Sequence, residues 1–176
     1  AAYDPGVTLR GNPDMPDRGL PSVEITDGFE AKHASLDYLN TWEGSHRSGP
    51  YQDLVIGFDS NPSHFVFWKG LQNIGAIVND QGQWYVNEFN ETWNKSGGSG
   101  CQEPMSDKGT WSSHTRLIED TPARKVVHWR FRLEDINHYV AYYDDATGWG
   151  DYSDWYYYIY PDGVAAKVMR SYSDDP

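Results

Sequence analysis

The chain of 176 residues is the size of a single domain, and 15% of its residues are aromatic, which argues against disorder. No apolar run approaches the roughly 20 residues that a membrane helix needs, so a membrane is not expected as a partner. The formal net charge of -12 at pH 7 repels a phosphate backbone at long range, which argues against nucleic acid as a partner. The one cysteine, Cys101, allows no intrachain disulfide, and the absence of a Cys/His cluster argues against structural zinc.

Residues 1–21 differ in composition from the rest of the chain. They contain Pro5, Pro13, Pro16 and Pro21 together with several glycines, a composition that disfavours helix and ladder hydrogen bonds. We expect this segment to be an extended N-terminal arm, and residues 22–176 to form one β-sandwich domain that is a piece of a longer protein. The opening Ala1-Ala2 is typical of a mature secreted protein after cleavage behind small residues, so we expect the protein to be secreted and extracellular.

The periodicity of the apolar residues changes along the chain. Between Ala31 and Trp42, the spacing of Leu36, Leu39 and Trp42 predicts one short helix. From Tyr51 onward the period is two, and short apolar or aromatic runs alternate with turn residues such as those at 79–82 and 161–163. This pattern predicts an all-β fold, an antiparallel β-sandwich, and the succession of hairpins favours a jelly-roll or concanavalin-like form.

The segment 126–133 has the clearest strand pattern. Its alternation directs Trp129 and its apolar neighbours to the core, and it directs His128, Arg130 and Arg132 to the opposite face. Neighbouring members of this cationic row lie about 6.6 to 6.8 Å apart along a strand. Sugar units of an extended polysaccharide repeat on a similar scale, so the row can meet successive carboxylates.

A second two-residue step, His114-Thr115-Arg116, carries the same residue types. If its strand neighbours the first, both steps line one groove. The alternative is that these cations pair with nearby acids such as Glu119, Asp120 and Glu134 on a solvated face. The sequence leaves both readings open.

Cleavage next to a uronate by β-elimination requires a neutraliser for the carboxylate, a base for the α proton and an acid for the leaving oxygen. Arg, Asn or Gln can neutralise, and His or Tyr can act as base or acid. The catalytic candidates are His128, Arg130, His114 and Tyr85. The substrate-binding candidates are Arg132, Arg116, Asn87, His64, Trp68, Trp149 and Tyr157.

Tryptophans next to glycine, polar or charged residues are candidates for exposed platforms on which a sugar face can stack. Trp68, Trp93, Trp111 and Trp149 have such neighbours, whereas most other aromatic residues are expected in the core.

Four carboxylates lie close together in the segment 143–154. Asp144, Asp145, Asp151 and Asp154 are hard oxygen ligands among glycines, a composition that can hold Ca²⁺. The spacing is not that of an EF-hand, and a solvated acidic loop is the competing interpretation.

Several strings resemble secreted bacterial carbohydrate-active proteins. They are His64-Phe65-Val66-Phe67-Trp68-Lys69-Gly70, the loop at 101–108, Gly148-Trp149-Gly150 and Tyr158-Ile159-Tyr160-Pro161-Asp162-Gly163-Val164. They are similar to the β-sandwich portions of marine polysaccharide-degrading enzymes of the ulvan-lyase type. The resemblance implies a secreted protein that acts on an acidic polysaccharide.

We therefore expect a polysaccharide lyase that cleaves a uronate-containing polysaccharide by β-elimination. A non-catalytic carbohydrate-binding module is the first alternative. The second is a structural or assembly domain whose terminal strand, at 164–172, pairs with another chain.

Overall fold

The alternating segments of the sequence form two antiparallel sheets in the computed structural model, which describes residues 28–34, 36, 53–59, 61–86, 90–93, 100–107 and 109–173. The first sheet has the order β1-β2-β3-β4-β5, with strands Ala31–Ala34, Asp53–Gly57, His64–Phe67, Gly75–Val78 and Trp84–Val86. The second has the order β6-β7-β8-β9, with strands His114–Asp120, Lys125–Arg132, Tyr152–Ile159 and Ala165–Tyr172. Two short 3-10 helices, Lys69–Leu71 and Pro104–Ser106, lie outside the sheets. The prediction of an all-β sandwich is confirmed.

Both predicted turns connect neighbouring strands. Gly82, at φ 72°, ends the turn between β4 and β5, and the backbone N–H of Gly82 donates to the carbonyl of Asn79. Gly163, at φ 88°, lies between β8 and β9. These positive φ values are readily adopted by glycine, which explains the turn signals of the sequence.

The main core lies between the two sheets. Leu54, Ile56, Phe65 and Phe67 of the first sheet belong to the same buried cluster as Trp129, Phe131, Trp155 and Tyr157 of the second. The ring of Tyr157 meets the rings of Phe65 and Phe67 edge-on, at 5.5 and 5.1 Å between centroids. The prediction made from the alternation of β7 is thus confirmed, because its apolar side chains pack between the two sheets and its cationic side chains lie on the outer face.

The first sheet is buried on its other face as well. Val55, Val66, Val78 and Trp68 form a second buried cluster with residues of the β1 region. This explains why β3 has no polar face in the sequence.

Two finer expectations are corrected. The first four residues of the predicted helix, Ala31–Ala34, form strand β1, which pairs with β2. Leu36, one of the residues on which the helix prediction was based, lies in no helix, whereas residues 35 and 37–42 and the predicted arm at 1–21 lie outside the described residues. Each described sheet is a meander in which every strand pairs with its neighbour in sequence, so the Greek-key order of a jelly roll is absent from the described strands. Within the described part of the chain, no helix is long and apolar enough to cross a membrane.

Candidate functional site

The two His/Arg steps lie side by side on the outer face of the second sheet. In the register of β6 and β7, His114 is opposite Arg130 and Arg116 is opposite His128. Side chains directly opposite on one face have Cβ atoms about 4.5 to 5.5 Å apart. The conditional prediction that both steps line one surface is therefore confirmed.

Asp154 of β8 binds two members of this group. Its Oδ1 lies 2.6 Å from Nε2 of His128, and its two oxygens accept from Nε and Nη2 of Arg130, each at 2.7 Å. The Arg130 guanidinium and then the His128 imidazole hold the pKa of Asp154 below its ordinary value, although partial burial opposes them. Two of these cations thus pair with an acid, but the acid is Asp154 and none of the three named in the sequence analysis, which bind Arg124, Lys125 and His138.

His114 and Arg116 differ from that pair. Neither side chain has a hydrogen bond or ion pair with any other described residue, and both are exposed. Within this part of the chain, neither side chain has to give up a partner before it binds a ligand.

These side chains line a cleft of about 710 Å³. Its walls are formed by His33, Lys69, Asn73, Thr110, Ser113, His114, Thr115, Arg116, His128 and Arg130. No carboxylate is among these lining residues, and six of them carry an ammonium, guanidinium or imidazole. A chain of net charge -12 thus presents a concave surface suited to an anion.

Lys69 is the most buried cation of the cleft, at 3% exposure. Its backbone N–H donates to Oδ1 of Asp53 at 2.7 Å, and its positive charge lowers the pKa of Asp53, whose net shift is upward because burial dominates. No hydrogen bond or ion pair within 4.0 Å joins the Lys69 ammonium to another described residue.

The structure places several predicted site residues away from the cleft. Arg132 donates from Nη2 to the carbonyl of Gly148 at 3.4 Å, and Tyr85 lines a separate cavity of about 130 Å³ with Tyr157. His64 lies on β3, where burial lowers the pKa of its imidazole, and its buried Nδ1 has no hydrogen-bond partner among the described residues. Asn87 lies outside the described residues.

The tryptophan expectations divide. The prediction that Trp68 is an exposed platform is wrong. This residue is 5% exposed, belongs to the second core cluster, and donates from Nε1 to the carbonyl of Leu36 at 3.2 Å. Trp93, Trp111 and Trp149 are exposed as expected. Tyr157 is a core residue, so its predicted role in binding a substrate is not supported by its position.

The four predicted calcium ligands do not converge. Asp154 lies on β8 and binds His128 and Arg130, whereas Oδ1 of Asp144 accepts from the backbone N–H of Ala146. Asp145 is exposed and Asp151 is buried, and no three of these carboxylates form a ligand group in the described part of the chain. The reason is that β8 begins at Tyr152, so residues that look like one acidic loop are divided between a turn and a strand.

Two other groups have ligand atoms within 4.8 Å of one another: Glu91, Cys101 and Glu103, and Asp107, Glu134 and His138. In the second group, Oε1 of Glu134 lies 2.7 Å from Nδ1 of His138, and Asp107 accepts from the backbone N–H of Trp111 and Ser112. These hydrogen bonds explain why the three side chains lie close together, and the explanation requires no metal ion. In the first group, burial and then the neighbouring carboxylates raise the pKa of the Cys101 thiol, which disfavours the thiolate that binds metals.

Six lining residues of the cleft were not candidates in the sequence analysis: His33, Lys69, Asn73, Thr110, Ser113 and Thr115. Three of them, His33, Lys69 and Asn73, come from the first sheet and its loops. Lys69 follows β3 in a 3-10 turn, and His33 lies on β1 of the other sheet. No local pattern indicates that these segments meet β6, so only the tertiary structure identifies them.

No protein-family model, curated protein or solved structure matches the chain. Function is therefore inferred from the geometry of the cleft.

Proposed function

We propose that the protein is a secreted polysaccharide lyase that binds an acidic polysaccharide in the cationic cleft and cleaves it next to a uronate by β-elimination. The observation that carries the proposal is the cross-strand set of His114, Arg116, His128 and Arg130 in a cleft with no carboxylate among its described lining residues.

The reaction assigns a role to each group of this set. Arg116, which has no acidic partner among the described residues, neutralises the uronate carboxylate and so stabilises the enolate that develops when the α proton leaves. His114 takes that proton as the base, since its imidazole is exposed and has no partner in the same part of the chain. The electron pair forms the new carbon–carbon double bond, and the bond to the glycosidic oxygen breaks.

The leaving oxygen then needs a proton. We assign this step to His128, which Asp154 holds through Nε2. Arg130 stays bound to the same carboxylate, so its role is to keep Asp154 ionised and to position the pair.

The test is incubation with uronate-rich polysaccharides while the ultraviolet absorbance of the unsaturated uronate is recorded. The wild-type chain should form this product, and His114→Ala and Arg116→Ala should lose most of the rate. Arg124→Ala is the matched control, because Arg124 pairs with Glu119 and does not line the cleft. A chain that binds the polysaccharide and yields no unsaturated product refutes the catalytic proposal.

A non-catalytic carbohydrate-binding module is the second candidate, and the exposed tryptophans favour it. Trp93, Trp111 and Trp149 are 67%, 56% and 54% exposed, which is unusual for such large apolar side chains. For this function, Trp111→Ala or Trp149→Ala should abolish retention on a glycan gel. Unchanged retention of both variants counts against it.

A further inference from the structure

The floor of the cleft is built by a loop that the sequence did not identify. The 3-10 turn Lys69–Leu71 and the residues after it are hydrogen-bonded to Thr110 and Ser113, which precede β6. Ser113 donates to the carbonyl of Gln72 at 2.8 Å, and Thr110 donates to the carbonyl of Lys69 at 3.0 Å. Asn73 completes the connection by donating from Nδ2 to the Ser113 hydroxyl at 3.1 Å. These bonds hold the Lys69 segment against the residues that lead into β6.

Two polar groups at this cleft have no hydrogen-bond partner among the described residues. One is the ammonium of Lys69, and the other is the buried Oγ1 of Thr115. Buried polar groups are nearly always hydrogen-bonded, and a buried cation without a bonded partner is costly. A ligand oxygen that enters the cleft can supply the hydrogen bond that the Lys69 ammonium lacks.

We propose that Lys69 is the residue that determines the specificity of the cleft for an anionic sugar, because its ammonium binds the carboxylate of the unit at the floor. The inference rests on the proposed binding of an acidic polysaccharide but not on cleavage. Arg116 is exposed, so water screens its charge, whereas the Lys69 residue is 3% exposed, so water screens its ammonium less. Lys69 therefore discriminates between charged and neutral sugars more strongly than Arg116.

Lys69 should affect the binding of acidic and of neutral sugars in opposite ways. An acidic sugar gains a charge-assisted hydrogen bond at Lys69. A neutral sugar that covers the ammonium removes its remaining water and offers no opposite charge in return, so its binding is penalised. Without the ammonium, the cleft should lose affinity for the acidic sugar and keep its affinity for the neutral one.

The experiment compares binding of a uronate oligosaccharide with binding of the same oligosaccharide after its carboxyl groups are reduced to alcohols. Lys69→Met should weaken binding of the acidic form on the order of 10- to 100-fold and leave the reduced form unchanged or tighter. The loss should persist in about 1 M salt, where the Debye length is about 3 Å, whereas the smaller loss in Arg116→Ala should vanish there. Lys125→Met is the control, since Lys125 is equally buried but pairs with Asp120 outside the cleft.

A measurement on the wild-type chain tests the inference even if the Lys69→Met variant does not fold. The acidic oligosaccharide should shift the ammonium resonance of Lys69 and protect it from acetylation, and the reduced form should do neither. If Lys69→Met is folded and keeps the wild-type preference, or if Lys69 is not protected, the inference is overturned while the proposed function can stand. If the wild-type chain does not bind the uronate oligosaccharide, the proposed function itself fails.

Discussion

Asp154 determines how much cationic charge the cleft offers to a ligand. Its carboxylate is almost fully buried and binds both His128 and Arg130, so two of the predicted ligand-binding cations are partly neutralised. The ring of Tyr156 stacks on His128 at 4.8 Å, and Tyr152 lies under the Arg130 guanidinium at 5.3 Å. These contacts fix both side chains, so the charges that respond most freely to a ligand are those of Arg116 and Lys69.

Asp154→Asn should lower the free energy of unfolding by about 1–2 kcal/mol at pH 7, because it removes charged hydrogen bonds to a guanidinium that water partly screens. The pKa of Asp154 is lower in the folded chain than its unfolded value of about 3.9, so this contribution is complete above that value and is lost as the pH falls through the folded pKa. Urea unfolding from pH 7 to pH 2 should show the two chains converging in acid.

The exposed Asp145 provides the control, since Asp145→Asn should unfold like the wild-type chain. A difference between wild type and Asp154→Asn that stays constant down to pH 2 contradicts the assignment.

His64 should make stability depend on pH in another window. Burial lowers the pKa of its imidazole, so the unfolded chain takes up a proton at higher pH than the folded chain. The contribution is complete above the unfolded pKa of about 6.5 and stability falls as the pH drops below it. His64→Phe should remove this part of the slope in urea unfolding between pH 7 and pH 5, whereas His33→Phe should retain it. An identical slope in His64→Phe and wild type refutes this account.

Among the elements, β7 could be predicted from the sequence most completely. Strict alternation over eight residues predicted its two faces correctly, whereas its pairing with β6 was only a condition in the sequence analysis and is shown by the register of the strands. The burial of Trp68 could not be predicted in the same way, because it depends on Leu36, which is 32 residues away. Lys69 was missed for the same reason, since the cleft is formed by loops and strands of both sheets.

The close approach of the two sheets at β4 depends on Gly75. A Cβ atom at this position would lie 2.8 Å from Cε1 of Phe65 and 2.9 Å from the ring of Tyr157. Gly75→Ala should therefore lower the free energy of unfolding by about 1–3 kcal/mol, measured by urea unfolding. Phe65→Leu removes one of the two contacts, so it should cost less in the Gly75→Ala background than in the wild type. Purely additive effects indicate that the Phe65 ring moves aside freely here.

Strand β9 is an edge of its sheet, as the predicted association with another chain requires. Val168, Met169 and Tyr172 are exposed on it. If two copies pair through this edge, sedimentation velocity should show a dimer at high concentration that Met169→Lys dissociates. A wild-type chain that stays monomeric at every concentration rules this association out.

At the scale of the whole molecule, the net charge of -12 opposes the local charge of the cleft. The Debye length is about 30 Å at 0.01 M salt and about 10 Å at 0.1 M, so the overall repulsion of a polyanion is screened before the attraction inside the cleft. The association rate constant for an acidic oligosaccharide should therefore rise between these salt concentrations in stopped-flow experiments. A rate constant that falls steeply over the same range contradicts this expectation.

The binding of an acidic sugar at the cross-strand cations is tested most directly by isothermal titration of a uronate oligosaccharide into three chains. The wild-type chain and Arg124→Ala should bind with equal affinity, because Arg124 is paired with Glu119 away from the cleft. Arg116→Ala should bind about tenfold more weakly in dilute buffer, which corresponds to the loss of one charged hydrogen bond. Equal affinity in all three chains, or no heat of binding in the wild-type chain, contradicts the assignment of the cleft.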